Sequence, residues 1–125
     1  MILDTNALSA WWEGNPAIIP HLSTTSRLCL ALPALAEFRF GILKSSRRAA
    51  MENWYRQSTQ LAEVLGIDLE TGEHYAQTRL SLEKKGTKIP MNDLWIAAIA
   101  LQHNLPVLSR DTHFDVVDGI QRLSW

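Results

Sequence analysis

Residues 1–12 read MILDTNALSAWW: three apolar residues, Met1, Ile2 and Leu3, run straight into Asp4-Thr5-Asn6 and then into the segment ALSAWW. Met1–Leu3 has the content of a short buried strand. Asp, Thr and Asn are the residue types whose side-chain oxygens take up the free N–H groups at a helix start. The junction therefore predicts a strand that feeds a helix directly, with Asp4 at the turn. So short a strand is either central, supported on both sides, or read from a trimmed start.

Working outward, the same alternation recurs. Asn15-Pro16 opens a second short helix through Leu22, with Pro16 in the favoured first turn, and RLCLAL from Arg27 reads as a buried strand. From Pro33 the residues Leu35, Phe38, Ile42 and Leu43 fall at helical spacing. A further helix begins near Ser46, carries Met51, Trp54, Leu61 and Leu65, and stops at Gly66, after which Ile67–Leu69 has the length of a short strand. Thr71–Lys85 predicts a helix ended by Gly86. Pro90 forces Ile89 to be extended, Asn92 caps a strongly apolar helix from Asp93 to His103, and Pro106 leads into the strand VLS. Strands alternating with helices, in pieces too short for hairpins, imply an α/β domain: a short central parallel sheet flanked by helices on both faces. No repeat or linker interrupts residues 1–125, which read as one domain. In such sheets ligands bind off the carboxyl ends of the strands, where Asp4 and Asp111 both fall.

Composition excludes several classes. With 46% hydrophobic and 20% charged residues, the chain is neither disordered nor low-complexity. Its longest apolar runs, LCLALPALA and LWIAAIAL, are shorter than the roughly 18 residues of a membrane span. The start lacks the basic region of a secretory signal, which places the chain in the cytoplasm. A single cysteine, Cys29, permits no intrachain disulfide and no cysteine-cluster zinc site, and within RLCLAL it reads as a buried small hydrophobe. The net charge of −1 hides an uneven distribution. Arg39, Lys44, Arg47, Arg48 and Arg56 face the single acid Glu52, and Arg79, Lys84, Lys85 and Lys88 flank only Glu83. These runs read as solvated helix faces or as phosphate-binding surfaces.

Four acids carry the chemistry. Asp4 and Asp111 follow strands, Asp93 opens an apolar helix, and Glu37 lies among Ala34, Leu35, Phe38 and Ile42 on a segment predicted to face the core. A buried acid requires a partner or a cation, and clustered carboxylates repel unless a hard divalent ion with oxygen ligands compensates them. Each acid has a plainer reading. Asp4 would serve as a helix cap, Asp93 as a favourable charge at a helix start, Asp111 as a turn residue, and Glu37 as a partner of Arg39 or a distant arginine. The conjunction of all four favours a metal site for Mg²⁺ or Mn²⁺.

MILDTNALS, LPALAEFRFGIL, IPMNDLWIAAIA and LPVLSRDTHFD, in that order and over nearly the whole chain, resemble the motifs of a PIN domain. More closely they resemble the VapC toxin ribonucleases of bacterial toxin–antitoxin pairs. The resemblance implies a Mg²⁺- or Mn²⁺-dependent endoribonuclease whose pocket is built from Asp4, Glu37, Asp93 and Asp111. Its products would carry a 5′-phosphate and a 3′-hydroxyl. Asp4 and Asp93 match the positions most directly associated with the metal. Thr5 or Asn6 would orient Asp4 or hold a water on the metal, and Ser109 would support Asp111. Asp115 reads as a surface turn with Asp118 and Gly119 rather than as a partner of Asp111. The resemblance also implies a homodimer and a small antitoxin whose tail covers the pocket.

RNA would run along Arg39, Lys44, Arg47 and Arg48 and along Lys84, Lys85 and Lys88, which flank the acids in sequence. Trp54 and Trp95 sit at core spacing and Trp125 is a terminal plug. Trp11 and Trp12 are adjacent, so both cannot face one core, and one of them is read either as meeting a partner or the antitoxin or as merely part-exposed. His21, His74, His103 and His113 show no paired spacing and are read as structural, although His113 and Phe114 match the family's late motif, where the phenylalanine packs. A receiver domain is disfavoured because no adjacent acidic pair follows the first strand and no lysine follows Lys88. A haloacid-dehalogenase-type phosphatase is disfavoured because Asn6 stands where a second aspartate belongs. The remaining alternative is a PIN-fold module without catalysis that binds RNA or protein.

Overall fold

The computed structural model describes all of residues 1–125. Its centre is the strand predicted from the opening residues. β1 (Ile2–Leu3) lies between β2 (Cys29–Ala31) and β4 (Val107–Leu108), with β3 (Glu63–Leu65) and β5 (Arg122–Leu123) at the two edges. All four pairings are parallel, and Ile2 sits opposite both Cys29 and Val107 while Leu3 sits opposite both Leu30 and Leu108. A two-residue strand persists here because both of its neighbours hydrogen-bond to it. Successive side chains of a strand point to opposite faces, and Ile2, Leu3, Cys29, Leu30, Val107 and Leu108 are all fully buried, so both faces of the sheet are covered. Burying each of the larger of these side chains stabilises the fold by about 1.5–3 kcal/mol.

The helices are α1 (Thr5–Trp12), α2 (Ile19–Thr24), α3 (Leu32–Lys44), α4 (Arg48–Leu61), α5 (Leu69–Lys84) and α6 (Met91–His103), followed by a short 3₁₀ turn over Thr112–Val116. In α6, Leu94 and every residue from Ile96 to Ala100 is buried, as in a helix enclosed on all sides. Asn104 ends it in the left-handed conformation, and Gly86, at φ +66°, does the same for α5. The chain moves from β1 to β2 and β3 on one side, then crosses to β4 and β5 on the other. The order of the sheet therefore reverses between β1 and β4, and Asp4 and Ser109 leave the sheet side by side at that point. No helix is long and apolar enough to cross a membrane.

Several sequence expectations shift. The second helix begins at Ile19 rather than at Asn15-Pro16, because the Asn15 side chain accepts from the Ala17 N–H in a turn and it is Pro20 that occupies the first helical turn. The third strand is Glu63–Leu65 and not Ile67–Leu69: α4 ends at Leu61, and Asp68 caps α5 through a reciprocal pair of bonds with Thr71. Leu43 and Leu61 are exposed rather than core residues. Asn92 does not cap α6, which starts behind Pro90 without any side-chain cap. The strand β5 was not expected at all. Trp11 and Trp12, both half-buried, pack edge-on against Trp54, at 5.2 and 5.8 Å between ring centroids, and Phe38 joins them at 5.3 Å. Trp95 stacks on Tyr75 at 4.1 Å, and Arg110 lies over Trp125 at 4.9 Å.

Candidate active site

Asp4 is 3% exposed, in extended conformation between β1 and α1. Its Oδ1 accepts from the Ala7 N–H at 2.7 Å, which makes it a helix cap, and its Oδ2 accepts from the Ser109 hydroxyl. The cap reading and the site reading are therefore both satisfied by one carboxylate. Ser109, fully buried at the end of β4, also accepts from the Asp111 N–H at 2.8 Å, so a single hydroxyl sets the position of two acids. The Asp111 Oδ1 in turn accepts from the His113 N–H at 2.9 Å and starts the 3₁₀ turn.

Asp93 enters from the first turn of α6. Its Oδ2 lies 2.8 Å from His113 Nδ1, and the same nitrogen is 2.8 Å from Asp111 Oδ1. Ligand atoms of Asp93, Asp111 and His113 lie within 4.8 Å of one another, and no other histidine joins such a cluster. Burial pushes the Asp4 carboxyl above its usual range, against the opposing hydrogen bonds from Ser109 and Ala7, and the charges of Asp93 and Asp111 push it further. Burial also raises Asp93, with His113 opposing and Asp111 adding to the rise. Buried and mutually repelling oxygen donors of this kind fit a divalent cation, whose charge would offset the burial that chiefly holds both groups up and the repulsion that adds to it. Asp93, Asp111 and His113 could hold such an ion, and Asp4 is joined to Asp111 through the Ser109 hydroxyl.

Glu37 corrects the sequence reading. It is exposed on α3 rather than turned to the core, with Ala36 also exposed beside it. Its Oε2 accepts from the Thr5 hydroxyl at 3.0 Å and from the Asn92 amide at 2.9 Å, and its charge reaches Asp93. Thr5 thus holds Glu37 and not Asp4. Asn6 is exposed and makes no side-chain hydrogen bond to any of the acids, whereas Ser109 supports Asp111 as expected and Asp4 as well. Asp115 is a surface residue paired in two bonds with Arg122, at 2.7 and 2.9 Å. His113 was read as structural but belongs to the cluster; its place next to a buried Phe114 was the available signal.

The basic residues are divided. Arg39 and Arg48 share Glu52, both at 2.9 Å, and Lys85 pairs with Asp118 at 2.6 Å. Lys44 lies over the Phe40 ring at 4.3 Å and Arg47 over Trp12 at 5.5 Å, and Lys84 is exposed; these three have no carboxylate partner.

Known proteins resemble the chain over most of its length. Ribonuclease VapC5 of Mycobacterium tuberculosis is 32% identical to the chain, over 94% of this chain and 87% of that protein. The tRNA(fMet)-specific endonuclease VapC of Salmonella typhimurium is 29% identical, over 99% and 96% of the two chains. Among solved structures, DNA-bound VapBC from Salmonella typhimurium superposes with a TM-score of 0.89 at 28% identity, covering 99% of this chain and 96% of that one. VapBC-5 of Mycobacterium tuberculosis does so with a TM-score of 0.78, also at 28% identity, over 99% and 97%. The PIN domain family profile matches residues 1–120, and the chain belongs to that family, among its VapC ribonucleases.

Proposed function

We propose that this chain is the toxin of a type II toxin–antitoxin pair, a Mg²⁺- or Mn²⁺-dependent endoribonuclease acting in the cytoplasm, with residues 1–125 forming its single PIN domain. The observation that carries the reading is the convergence of Asp4, Asp93 and Asp111 at the switch point of the sheet, with His113 between two of them. A cation bound there would neutralise charge on a phosphodiester and make a water more acidic. The protein's own part is to hold the three carboxylates in place. Ser109 orients Asp4 and the Asp111 backbone, Asp4 caps the start of α1 and is held by the Ala7 N–H, and His113 bridges Asp93 and Asp111. Glu37 supplies a fourth carboxylate at the solvent side.

RNA is held by its phosphates. Lys44, Arg47 and Lys84, which have no acid partner, are the first contributors, while Arg39, Arg48 and Lys85 would act by exchanging a carboxylate for a phosphate. The likeness to VapBC complexes supports a small antitoxin as protein partner, and a homodimer is part of the same reading.

The test is cleavage of a mixed RNA pool in Mg²⁺ or Mn²⁺, with EDTA and Asp93→Asn as controls and mapping of 5′-phosphate ends. Metal-dependent cuts lost in the variant support the nuclease. A folded protein that neither cuts RNA nor binds Mn²⁺ by calorimetry would instead be a binding module.

A further inference from the structure

Asn92 has no evident structural employment. It stands in the first turn of α6, yet that helix has no side-chain cap, and the only hydrogen bond of the Asn92 side chain is the one its amide donates to Glu37. Thr5, from the first turn of α1, donates to the same oxygen, Oε2, so residues from three helices meet on one carboxylate. Oε1 of Glu37 accepts no hydrogen bond. Glu37 is exposed, and a free glutamate on a helix surface samples many rotamers. Two donors on one oxygen select a single arrangement and leave the other oxygen available. Asp93, next in sequence to Asn92, enters the acidic cluster from the same helical turn and feels the Glu37 charge. One turn of α6 thus supplies both a member of the cluster and a restraint on the neighbouring Glu37.

We propose that Asn92, acting with Thr5, is a positioning residue that fixes Glu37 with its Oε1 presented to the acidic pocket, so that the carboxylate nearest solvent is preorganised for the cation and its RNA. This rests on reading the chain as a metal-dependent nuclease. The physical basis is that a group held in its productive geometry before substrate arrives loses no freedom at the moment of reaction.

The full chain is used, as wild type and as Asn92→Ala, Thr5→Ala, Thr5→Ser, Glu37→Ala and the double variant Asn92→Ala/Glu37→Ala. RNA cleavage rates are followed, together with Mn²⁺ binding by calorimetry. Alanine is a strong helix former, so Asn92→Ala is expected to retain the wild-type melting temperature. Asn92→Ala and Thr5→Ala should each lower kcat by about 10-fold, the scale of losing an outer partner of a metal ligand, and weaken Mn²⁺ binding in the same direction. Thr5→Ser keeps the hydroxyl and should retain the wild-type rate. In the Glu37→Ala background, adding Asn92→Ala should change the rate and the Mn²⁺ affinity by less than about 2-fold, since there is no carboxylate left to position.

A full 10-fold effect of Asn92→Ala in that background overturns the proposal, because the amide would then act on something other than Glu37. A silent Asn92→Ala single variant also overturns it. Wild-type protein that neither cleaves RNA nor binds Mn²⁺ overturns the nuclease reading itself and the proposal with it, an outcome visible before any variant is compared.

Discussion

The Ser109 hydroxyl donates to the Asp4 carboxylate across 105 residues of chain, joining the ends of β4 and β1 at the point where the sheet reverses its order. The same hydroxyl accepts from the Asp111 N–H, so a single buried side chain positions acids from two motifs. The Arg122 guanidinium donates to the Ser109 carbonyl at 3.1 Å and pairs with Asp115, which ties this loop to the edge strand β5.

Ser109→Ala should therefore be costly in two ways. A buried carboxylate loses one of its two hydrogen-bond donors, worth about 1–3 kcal/mol of stability, measurable by urea unfolding in EDTA. The Ser109 bond also opposes the upward shift of Asp4. Without it the acid side of the pH–cleavage profile should move to higher pH, and an unmoved profile would show that Asp4 does not need to be ionised.

Asp93→Asn should make the metal-free protein more stable while destroying activity. Both Asp4 and Asp93 titrate above the ordinary value of 3.8 in the folded state, chiefly through burial. Their contribution to stability is present below pH 3.8 and is lost as pH rises through the folded values, so at pH 7 the ionised pair works against folding. Neutralising Asp93 should raise Tm in EDTA at pH 7 by roughly 3–5 °C, about 1 kcal/mol, and lower cleavage at least about 100-fold. A lower Tm would mean that the attraction of His113 outweighs desolvation.

Mn²⁺ should raise Tm at pH 7 and do so less as pH falls, because protons compete for carboxylates whose titration is shifted upward. Calorimetric melts with and without EDTA at pH 7.5 and pH 5 test this; an equal increment at both values would place the ion elsewhere.

His113→Ala removes the nitrogen that lies 2.8 Å from both Asp93 and Asp111. The imidazole is 40% exposed and Phe114 carries the packing, so the loss of stability should be modest, about 1 kcal/mol. Cleavage should fall by about 10–100-fold, as for partners that orient metal ligands. Wild-type rates in this variant would reduce His113 to a bystander.

Trp54→Ala should do the opposite. Trp54 gathers Trp11, Trp12 and Phe38 away from the acids, so its removal should lower stability by about 3 kcal/mol while the folded fraction keeps its kcat. A large fall in kcat at saturating RNA would connect the aromatic cluster to the reaction.

The three aspartates were legible before folding because each stands at a punctuation mark of the chain: Asp4 and Asp111 after strands, Asp93 in the first turn of the most apolar helix. Local chemistry marks such places, since a helix start wants an acceptor and a strand end in a parallel sheet faces a loop. Glu37 was legible as a candidate but not in its environment. Its apolar neighbours Leu35, Phe38 and Ile42 are buried, yet at 100° per residue a position between them lies on the helix flank, and only the arrival of α1 and α6 shows what it meets.

The sequence by itself determined the alternation of strands and helices and the acids that cap or begin helices, because those features depend on residues a few positions apart; that the opening strand is the central one was settled by its pairing with β2 and β4. Tertiary structure decided which side chains share an atom. Ser109 with Asp4, Asn92 and Thr5 with Glu37, and His113 with Asp93 join segments between 20 and 105 residues apart. The same holds for β5, whose two residues carry too little local signal to announce a strand and exist as one because β4 offers them an edge.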